Sequence, residues 1–243
     1  DEDATWNMLQ EFERAYPESI MILKLEENMR QGGARNVALQ YATGEYIAFV
    51  DADDFVSENF LLETYEKAKE SDADIIQFEY FYYTDRLGAV DSGRNITPEV
   101  IEISSVSDRK RFLISEKVTY GCWNKLYRHT LLNEAHTAYA EHVIYEEPLF
   151  VYPLLYFANK IVILNDAYYY YRQNDSGTMR NDMRQEETLK MHADVQLAVW
   201  NFMKRYDPVC FIQPCLKKYP FLVEHTHSGA EIVILVKRPS SCV

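Results

Sequence analysis

The amino-acid sequence predicts an α/β protein in which helices flank a mostly parallel sheet. The first observation is that strand-like and helix-like spacings of apolar residues alternate over residues 4–83. The second is the run EYIAFV at residues 45–50, which is almost continuously apolar, as expected for a strand covered on both faces. The third is size, because 243 residues with 47% hydrophobic content suffice for one large domain or a domain with a small helical appendage.

Each element follows from a run of apolar residues and from the residue that ends it. Pro17 ends the first helix, whereas Gly32 and Gly33 predict a turn before a short helix that Gly44 closes. The predicted helices are 4–16, 34–42, 57–71, 107–116, 147–159 and 185–206. The predicted strands are 19–26, 45–50, 73–83, 121–128 and 160–173, the last being one long strand or a pair. The polar residues 84–106 predict a loop or hairpin, and the tail from Asp207 has weak patterning.

Composition excludes some classes of partner. The formal net charge is −13 and the pI is about 4.9, which argues against a nucleic-acid partner, because phosphate binding needs clustered Lys and Arg. The four cysteines form no Cys-x-x-Cys pair and are expected to be free thiols in a reducing compartment. No apolar run reaches the length of a membrane span. These features predict a cytoplasmic protein, with peripheral contact at the inner face of the membrane left open.

Three aspartates follow the apolar strand directly. Asp51, Asp53 and Asp54 come after its last residue, at the edge of an open α/β sheet where ligands bind. In an extended segment, Asp51 and Asp53 point to the same side, and two converging carboxylates suit Mg²⁺ or Mn²⁺. The alternative is a polar turn whose aspartates cap the helix predicted near Ser57.

The stretch ARNVALQYATGEYIAFVDADDF resembles, almost residue by residue, the segment of family 2 glycosyltransferases that ends in their Asp-x-Asp motif. This resemblance implies a GT-A-type, Rossmann-like fold. It also implies that Asp51 and Asp53 bind a divalent cation, Mn²⁺ or Mg²⁺, together with the diphosphate of a nucleotide-sugar. Asp54 is interpreted as a cap or a supporting residue. Family members also carry an arginine at the position of Arg35, which the resemblance places beside the donor, although a surface arginine is the alternative.

Two glutamates, Glu146 and Glu147, stand directly before Pro148 at the start of the apolar helix predicted at residues 147–159. Inversion at a sugar carbon needs a carboxylate that takes a proton from the acceptor hydroxyl. Members of the family usually have Glu-Asp here, with the aspartate as the proposed base, so the resemblance implies that Glu147 is the base and leaves Glu146 as the second candidate. The alternative is that both acids only favour the N-terminus of the helix.

Two further segments resemble the bacterial polysaccharide-type members of the family. The segment CWNKLYR suggests Trp123 and Lys125 as acceptor-binding residues, whereas a buried tryptophan in a strand is the alternative. The segment YYYYRQNDSGTM suggests that Arg172, followed by Ser176, helps to bind the donor. Arg172 in a structural ion pair is the alternative.

The resemblance extends from about Trp6 to Met179. The family's opening strands, which bind the nucleobase and ribose, have no counterpart in these residues. We therefore expect an N-terminally truncated GT-A domain at residues 1–180 that binds donor poorly by itself, and a C-terminal helical extension at residues 181–243.

The predicted function is that of an inverting, metal-dependent glycosyltransferase. It would move a sugar from a nucleotide-diphosphate donor, UDP being favoured, to a hydroxyl of a glycan or lipid-linked acceptor in bacterial surface polysaccharide synthesis. A nucleotidyltransferase and a non-catalytic nucleotide- or sugar-binding subunit remain alternatives. An intact domain that binds UDP with metal but neither hydrolyses nor transfers the sugar would favour the binding subunit.

Overall fold

The structure, a computed structural model, describes residues 2–115, 117–173, 186–206 and 233–236. The helices are α1 Glu2–Ala15, α2 Arg30–Tyr41, α3 Phe60–Ser71, α4 Val106–Ser115, α5 His129–Ala135, α6 Glu147–Phe157 and α7 Glu186–Tyr206. The strands are β1 Ile20–Leu23, β2 Tyr46–Ala48, β3 Phe55–Val56, β4 Ile75–Thr84, β5 Gly88–Asp91, β6 Glu99–Glu102, β7 Lys125–Arg128, β8 Lys160–Arg172 and β9 Val233–Val236.

Seven strands form one sheet around the two long strands β4 and β8. The path through the sheet is β2-β7-β4-β8-β3, while β5 extends the pairing along β4 and β6 pairs with β8. Strands β4 and β8 run parallel, and the other pairs within this sheet are antiparallel. The predicted α/β sheet with flanking helices is confirmed, but the expectation of mostly parallel pairing is wrong for the described strands.

The direction of the strands follows from their connections. Helix α3 lies between β2 and β4 in the chain, and α6 precedes β8, so that β2, β4 and β8 run in the same direction. The short strands β3, β5, β6 and β7 run the opposite way. Alternating helices and strands predict parallel neighbours only when a crossover helix leads from each strand to its neighbour in the sheet. The short strands do not reach their neighbours in this way.

The sheet is covered on both faces, as the apolar run at residues 45–50 indicated. Ile75, Tyr127 and Ile161 face one core cluster, which includes residues of α5 and α6. Their chain neighbours, such as Ile76 and Val162, face a second cluster with residues of α3. This alternation places successive side chains of each strand in different cores.

Helix α6 has a proline inside it and keeps its hydrogen bonding by a side-chain contact. Pro153 has no N–H for the carbonyl of Leu149, four residues earlier. The hydroxyl of Thr137 donates to that carbonyl instead, at 3.0 Å. Helix α6 therefore continues through Pro153, with Glu147 in its first turn and Glu146 as its N-cap residue.

Several predicted boundaries differ from the structure. Helix α2 begins at Arg30 and contains Gly32 and Gly33, so the turn predicted there is wrong. The segment predicted as a loop or hairpin forms β5, which is a hairpin partner of β4, and β6. Strand β8 is one long strand rather than a pair, and β3 and α5 were not predicted.

The C-terminal region is only partly described. Helix α7 agrees with the helix predicted at residues 185–206, and Val199 and Met203 on it pack against side chains of α6. Residues 233–236 form β9, which pairs antiparallel with β1, so this part of the predicted helical extension is a strand. None of the described helices is long and apolar enough to cross a membrane. The division at residue 180 stays a prediction.

Candidate active site

One buried arginine joins the two acidic segments that the sequence singled out. Arg35, in α2, donates from Nη2 to Asp51 Oδ1 at 2.6 Å and from Nη1 to Glu146 Oε1 at 2.5 Å. The side chain of Arg35 is 8% exposed, that of Glu146 5% and that of Asp51 20%. A guanidinium suits this position because its planar fork can hold two carboxylates at once. The end of β2 and the start of α6 thus meet at Arg35.

The neighbouring residues of α2 fix the segment that leads to the glutamates. Asn36 donates to the carbonyl of Tyr139 at 3.0 Å and accepts from the N–H of Tyr139 at 2.9 Å. At Gly32, an added Cβ would lie 2.2 Å from the carbonyl oxygen of Ala140. Glycine is therefore required for close contact between α2 and this segment, rather than for a turn. The ring of Tyr139 lies 5.2 Å from the Arg35 guanidinium carbon.

Glu147 lies beside this cluster and has a different environment from Glu146. The N–H of Cys122 donates to Glu147 Oε1 at 2.7 Å. Burial raises the pKa of Glu147, while the neighbouring Arg35 acts in the opposite direction. No side-chain cap hydrogen bond is present at the start of α6, so capping does not explain the two acids. A carboxyl with a raised pKa is suited to taking up a proton.

The aspartate segment forms a turn rather than an extended strand. The N–H of Asp54 donates to the carbonyl of Asp51 at 3.1 Å. Asp53 is exposed, whereas Asp54 accepts from the Tyr169 hydroxyl at 2.6 Å and from the N–H of Arg172 at 2.8 Å. Burial raises the pKa of Asp54 to about 6. Asp54 thus links the turn to β8 and does not cap α3, which begins at Phe60.

The donor atoms at this turn fit a cation that takes most of its ligands from a substrate. Asp53 offers an exposed carboxylate, and one oxygen of Asp51 is already bound to Arg35. Within the described part of the chain, no group of three or more His, Cys, Asp or Glu is arranged to hold a metal ion. Mg²⁺ commonly binds through one or two carboxylates together with water and substrate phosphates, and this small set of ligands suits it.

The two predicted acceptor-binding residues have different surroundings. Trp123 is partly exposed, and its ring lies against those of Tyr169 at 4.7 Å and Tyr171 at 5.5 Å. Lys125 is fully buried, and its Nζ donates to Thr119, to the carbonyl of Gly121 and to Asn124. Burial lowers the pKa of Lys125 to about 7. Lys125 therefore shapes the segment before β7, and contact with an acceptor by either residue stays a prediction.

Arg172 lies at the end of β8. Its Nη1 is 3.8 Å from Asp85, and its guanidinium lies over the rings of Phe55 and Tyr83. Arg172 approaches the aspartate turn through its backbone N–H, which binds Asp54. Its side-chain role toward a donor stays a prediction, and Ser176 lies outside the described residues.

Sequence reasoning missed residues that position the site. Tyr169 donates to Asp54 and accepts from the N–H of Asp51, so it holds both ends of the turn. Asn36 and Cys122 fix the other side, through Tyr139 and Glu147. Asn36 directly follows Arg35 in the motif on which the family resemblance rests, and that position could have identified it as a site residue. Tyr169 stands in a run of four tyrosines, and nothing in that run distinguishes it from the others.

Comparison with known proteins shows the family of the chain. Residues 1–135, more than half of the chain, match the model of the family described as Glycosyl transferase family 2. Glycosyltransferase GlyG of Streptococcus pneumoniae is 30% identical over 67% of this chain and 55% of that protein. Poly(ribitol-phosphate) beta-glucosyltransferase of Bacillus spizizenii is 26% identical over 70% of this chain and 25% of that protein. The chain thus spans about half or less of the length of these relatives.

Solved structures support the fold. Residues 1–349 of TarS from S. aureus superpose with a TM-score of 0.51 and 22% identity, covering 76% of this chain and 47% of that one. The same protein in complex with UDP-GlcNAc gives a TM-score of 0.50, covering 80% of this chain and 58% of that one. The expected GT-A-type fold is confirmed. Taken with the family match over residues 1–135, this means that the chain belongs to glycosyl transferase family 2.

Proposed function

We propose that the protein transfers a sugar, with inversion, from a nucleotide-diphosphate donor to a hydroxyl of a glycan or lipid-linked acceptor. The observation that carries this proposal is the double contact of Arg35 with Asp51 and Glu146. Through this double contact, a single side chain, that of Arg35, links the aspartate turn to the glutamate pair. A donor at the turn and an acceptor at Glu147 would then be neighbours.

On the donor side, the proposed ligands of the diphosphate are Asp51 and Asp53, through a bound Mn²⁺ or Mg²⁺. Such a cation would neutralise the charge that develops on the departing diphosphate. Both Nη atoms of Arg35 bind carboxylates, so the proposed role of Arg35 is to hold Asp51 in place and not to serve only as a phosphate ligand. Arg172, whose backbone joins the turn, is the proposed additional cation for the donor. UDP is favoured because TarS, a fold neighbour, was solved with UDP and with UDP-GlcNAc.

On the acceptor side, Glu147 is the proposed general base. Its carboxylate would take the proton of the acceptor hydroxyl while that oxygen attacks the anomeric carbon, and the diphosphate would leave from the opposite face. Glu146 is already engaged by Arg35, whose Nη1 lies 2.5 Å from its Oε1, and this leaves Glu147 as the carboxylate of the pair that no cation among the described residues holds directly. Tyr120 is 40% exposed, and burial together with Glu147 raises its pKa. Glu147 binds the N–H of Cys122, two residues after the exposed Tyr120, and the surface at Tyr120 is where the acceptor is proposed to approach.

The proposed biological setting is the synthesis of bacterial surface polysaccharide. The names of similar proteins support it, since one is a poly(ribitol-phosphate) beta-glucosyltransferase and another a poly(ribitol-phosphate) beta-N-acetylglucosaminyltransferase. Synthesis of such polymers would place the protein in the cytoplasm, at the inner face of the membrane.

The substitution Glu147→Gln in the full-length protein tests the proposed base. The amide oxygen keeps the contact with the N–H of Cys122 but takes up no proton at neutral pH. We expect UDP binding to be retained and sugar transfer to fall by about 10²- to 10⁴-fold. Glu134→Gln, an exposed change on α5, is the matched control and should leave transfer unchanged.

Stability separates a catalytic from a structural role for Glu147. A carboxyl whose pKa is raised on folding binds more protons in the folded state, so its contribution to stability is lost as pH rises through the raised pKa. We therefore expect Glu147→Gln to be as stable as the parent at pH 7, or more so, while transfer is lost. Retained turnover in this variant would show that another residue is the general base.

A further inference from the structure

We propose that the acceptor is a glycan chain and that a line of aromatic side chains beside the candidate site binds several of its sugar units. This aromatic track consists of Trp123, Tyr171, Tyr80 and Tyr82. The proposal rests on the proposed function, because it names the class of acceptor for the same site. It goes beyond Trp123 alone by assigning residues of β4 and β8 to the same surface.

The track is a continuous row of rings. Trp123 stacks on Tyr171 with ring centres 5.5 Å apart, and Tyr171 lies 6.2 Å from Tyr82. Tyr80 lies 4.8 Å from Trp123 and 5.4 Å from Tyr82 and closes the row from the side. Strand register explains the row, because Tyr82 is the direct partner of Tyr171 in the parallel pair of β4 and β8.

The track borders the second core cluster, against which Tyr80, Trp123 and Tyr171 pack. The first five residues of β4 are buried, whereas the last five are partly or fully exposed. Tyr82 is 38% exposed, and Trp123, Tyr80 and Tyr171 are partly exposed. Together with Trp123, strands β4 and β8 therefore carry a group of aromatic rings from the edge of the core to the solvent.

The track begins at the candidate site. Trp123 lies against Tyr169, whose hydroxyl donates to Asp54 and accepts from the N–H of Asp51. Burial, followed by the carboxylates of the site, raises the pKa of Tyr171 to about 12, and the contributing carboxylates are Asp54, Asp53, Asp51 and Glu147. Tyr171 is joined to the aspartate turn through Trp123 and Tyr169, since Tyr171 stacks on Trp123 and Trp123 lies against Tyr169. Tyr82 contacts Tyr171 and Tyr80 and is the most exposed of the four rings, so it is the proposed distal end of the track.

The chemistry of these residues favours a sugar chain. Ring faces of tyrosine and tryptophan pack on the apolar faces of sugar rings, and their hydroxyl and indole N–H groups bond to sugar hydroxyls. The hydroxyls of Tyr80 and Tyr82 lie 3.5 Å apart and offer a paired polar contact. Single-stranded nucleic acid also stacks on aromatic residues, but it needs a positively charged groove, and the four carboxylates at the near end of the track oppose this.

The length dependence of glycan binding tests the proposal. The probes are immobilised fragments of bacterial surface polysaccharides with one, two and four sugar units, presented to the full-length protein. For fragments that bind, we expect the Kd of the tetrasaccharide to be at least about tenfold lower than that of the matching monosaccharide, because each ring contact adds a small favourable free energy of binding. In Tyr82→Ala this difference should shrink about five- to tenfold, whereas Tyr41→Ala, an equally exposed tyrosine on α2, should keep it.

Each outcome decides one of the proposals. Absence of length-dependent binding, or the same length dependence in Tyr82→Ala as in the parent, would overturn the aromatic track. Binding of UDP in the presence of Mn²⁺ is measured on the parent protein in the same series. Failure of the glycan test with intact UDP binding leaves the proposed function standing, whereas loss of UDP binding in the parent would contradict the proposed function itself.

Discussion

Removal of the Arg35 guanidinium should destabilise the protein strongly. Arg35→Met keeps the approximate length of the side chain but leaves Asp51 and Glu146 without their shared cation. Glu146 has 5% of its side chain exposed and cannot regain water, whereas Asp51, at 20%, can regain some. Breaking a buried ion pair by removing one partner costs about 3–5 kcal/mol. We expect a loss of that size, most of it due to Glu146.

The loss should depend on pH in a defined direction. Without Arg35, an ionised Glu146 is a buried charge that has lost its partner, and protonation at lower pH removes that charge. The deficit of Arg35→Met relative to the parent should therefore be largest near pH 7 and smaller near pH 5. The double variant Arg35→Met/Glu146→Gln should recover at least about 1 kcal/mol at pH 7.

Urea denaturation at pH 5 and pH 7 measures these differences in the free energy of unfolding. Arg86→Met, an exposed arginine in the turn between β4 and β5, is the control and should change stability by no more than about 0.5 kcal/mol. A loss under about 1 kcal/mol for Arg35→Met, equal at both pH values, would refute the idea that Arg35 holds two buried carboxylates together.

Two further predictions concern the segment that carries the glutamates. Gly32→Ala should lower the free energy of unfolding by about 1–3 kcal/mol and reduce transfer. The reason is that the new Cβ would lie 2.2 Å from the carbonyl oxygen of Ala140 and would push α2 away from that segment. Unchanged stability in urea denaturation would contradict this prediction. Because burial raises the pKa of Glu147, the transfer rate should fall as pH drops through a value above that of an ordinary glutamate. A pH–rate profile checks this, and a rate independent of pH on the acid side would argue against Glu147 as the base.

The sequence predicted elements best where the apolar spacing was long and regular. The helix predicted at residues 57–71 and the strand predicted at 73–83 correspond to α3 and β4 within a few residues. Short strands such as β3, with two residues, have no detectable period. The direction of pairing was wrong because it depends on which strands become neighbours, and β7 enters between β2 and β4 from a distant part of the chain.

For the site, local motifs predicted the participants but not their contacts. Arg35, Asp51 and Glu146 were each singled out, but no local pattern indicates that one arginine binds both acids, which lie 16 and 111 residues away from it. Lys125 illustrates the opposite case, since its position in a motif suggested contact with acceptor and its burial suggests a supporting role. Gly32 was read as a turn residue because its actual neighbour, Ala140, is remote in sequence.

Metal-dependent nucleotide binding at the aspartate turn is the most direct test of the proposed site. Isothermal calorimetry with UDP, with Mn²⁺ and then with EDTA, compares the full-length protein with Asp53→Ala and with Asp166→Ala, an exposed aspartate on β8 that serves as control. We predict Mn²⁺-dependent binding in the parent and the control, and none in Asp53→Ala. Undiminished binding by Asp53→Ala, or binding that EDTA does not affect, would contradict the assignment of the turn as the cation and diphosphate site.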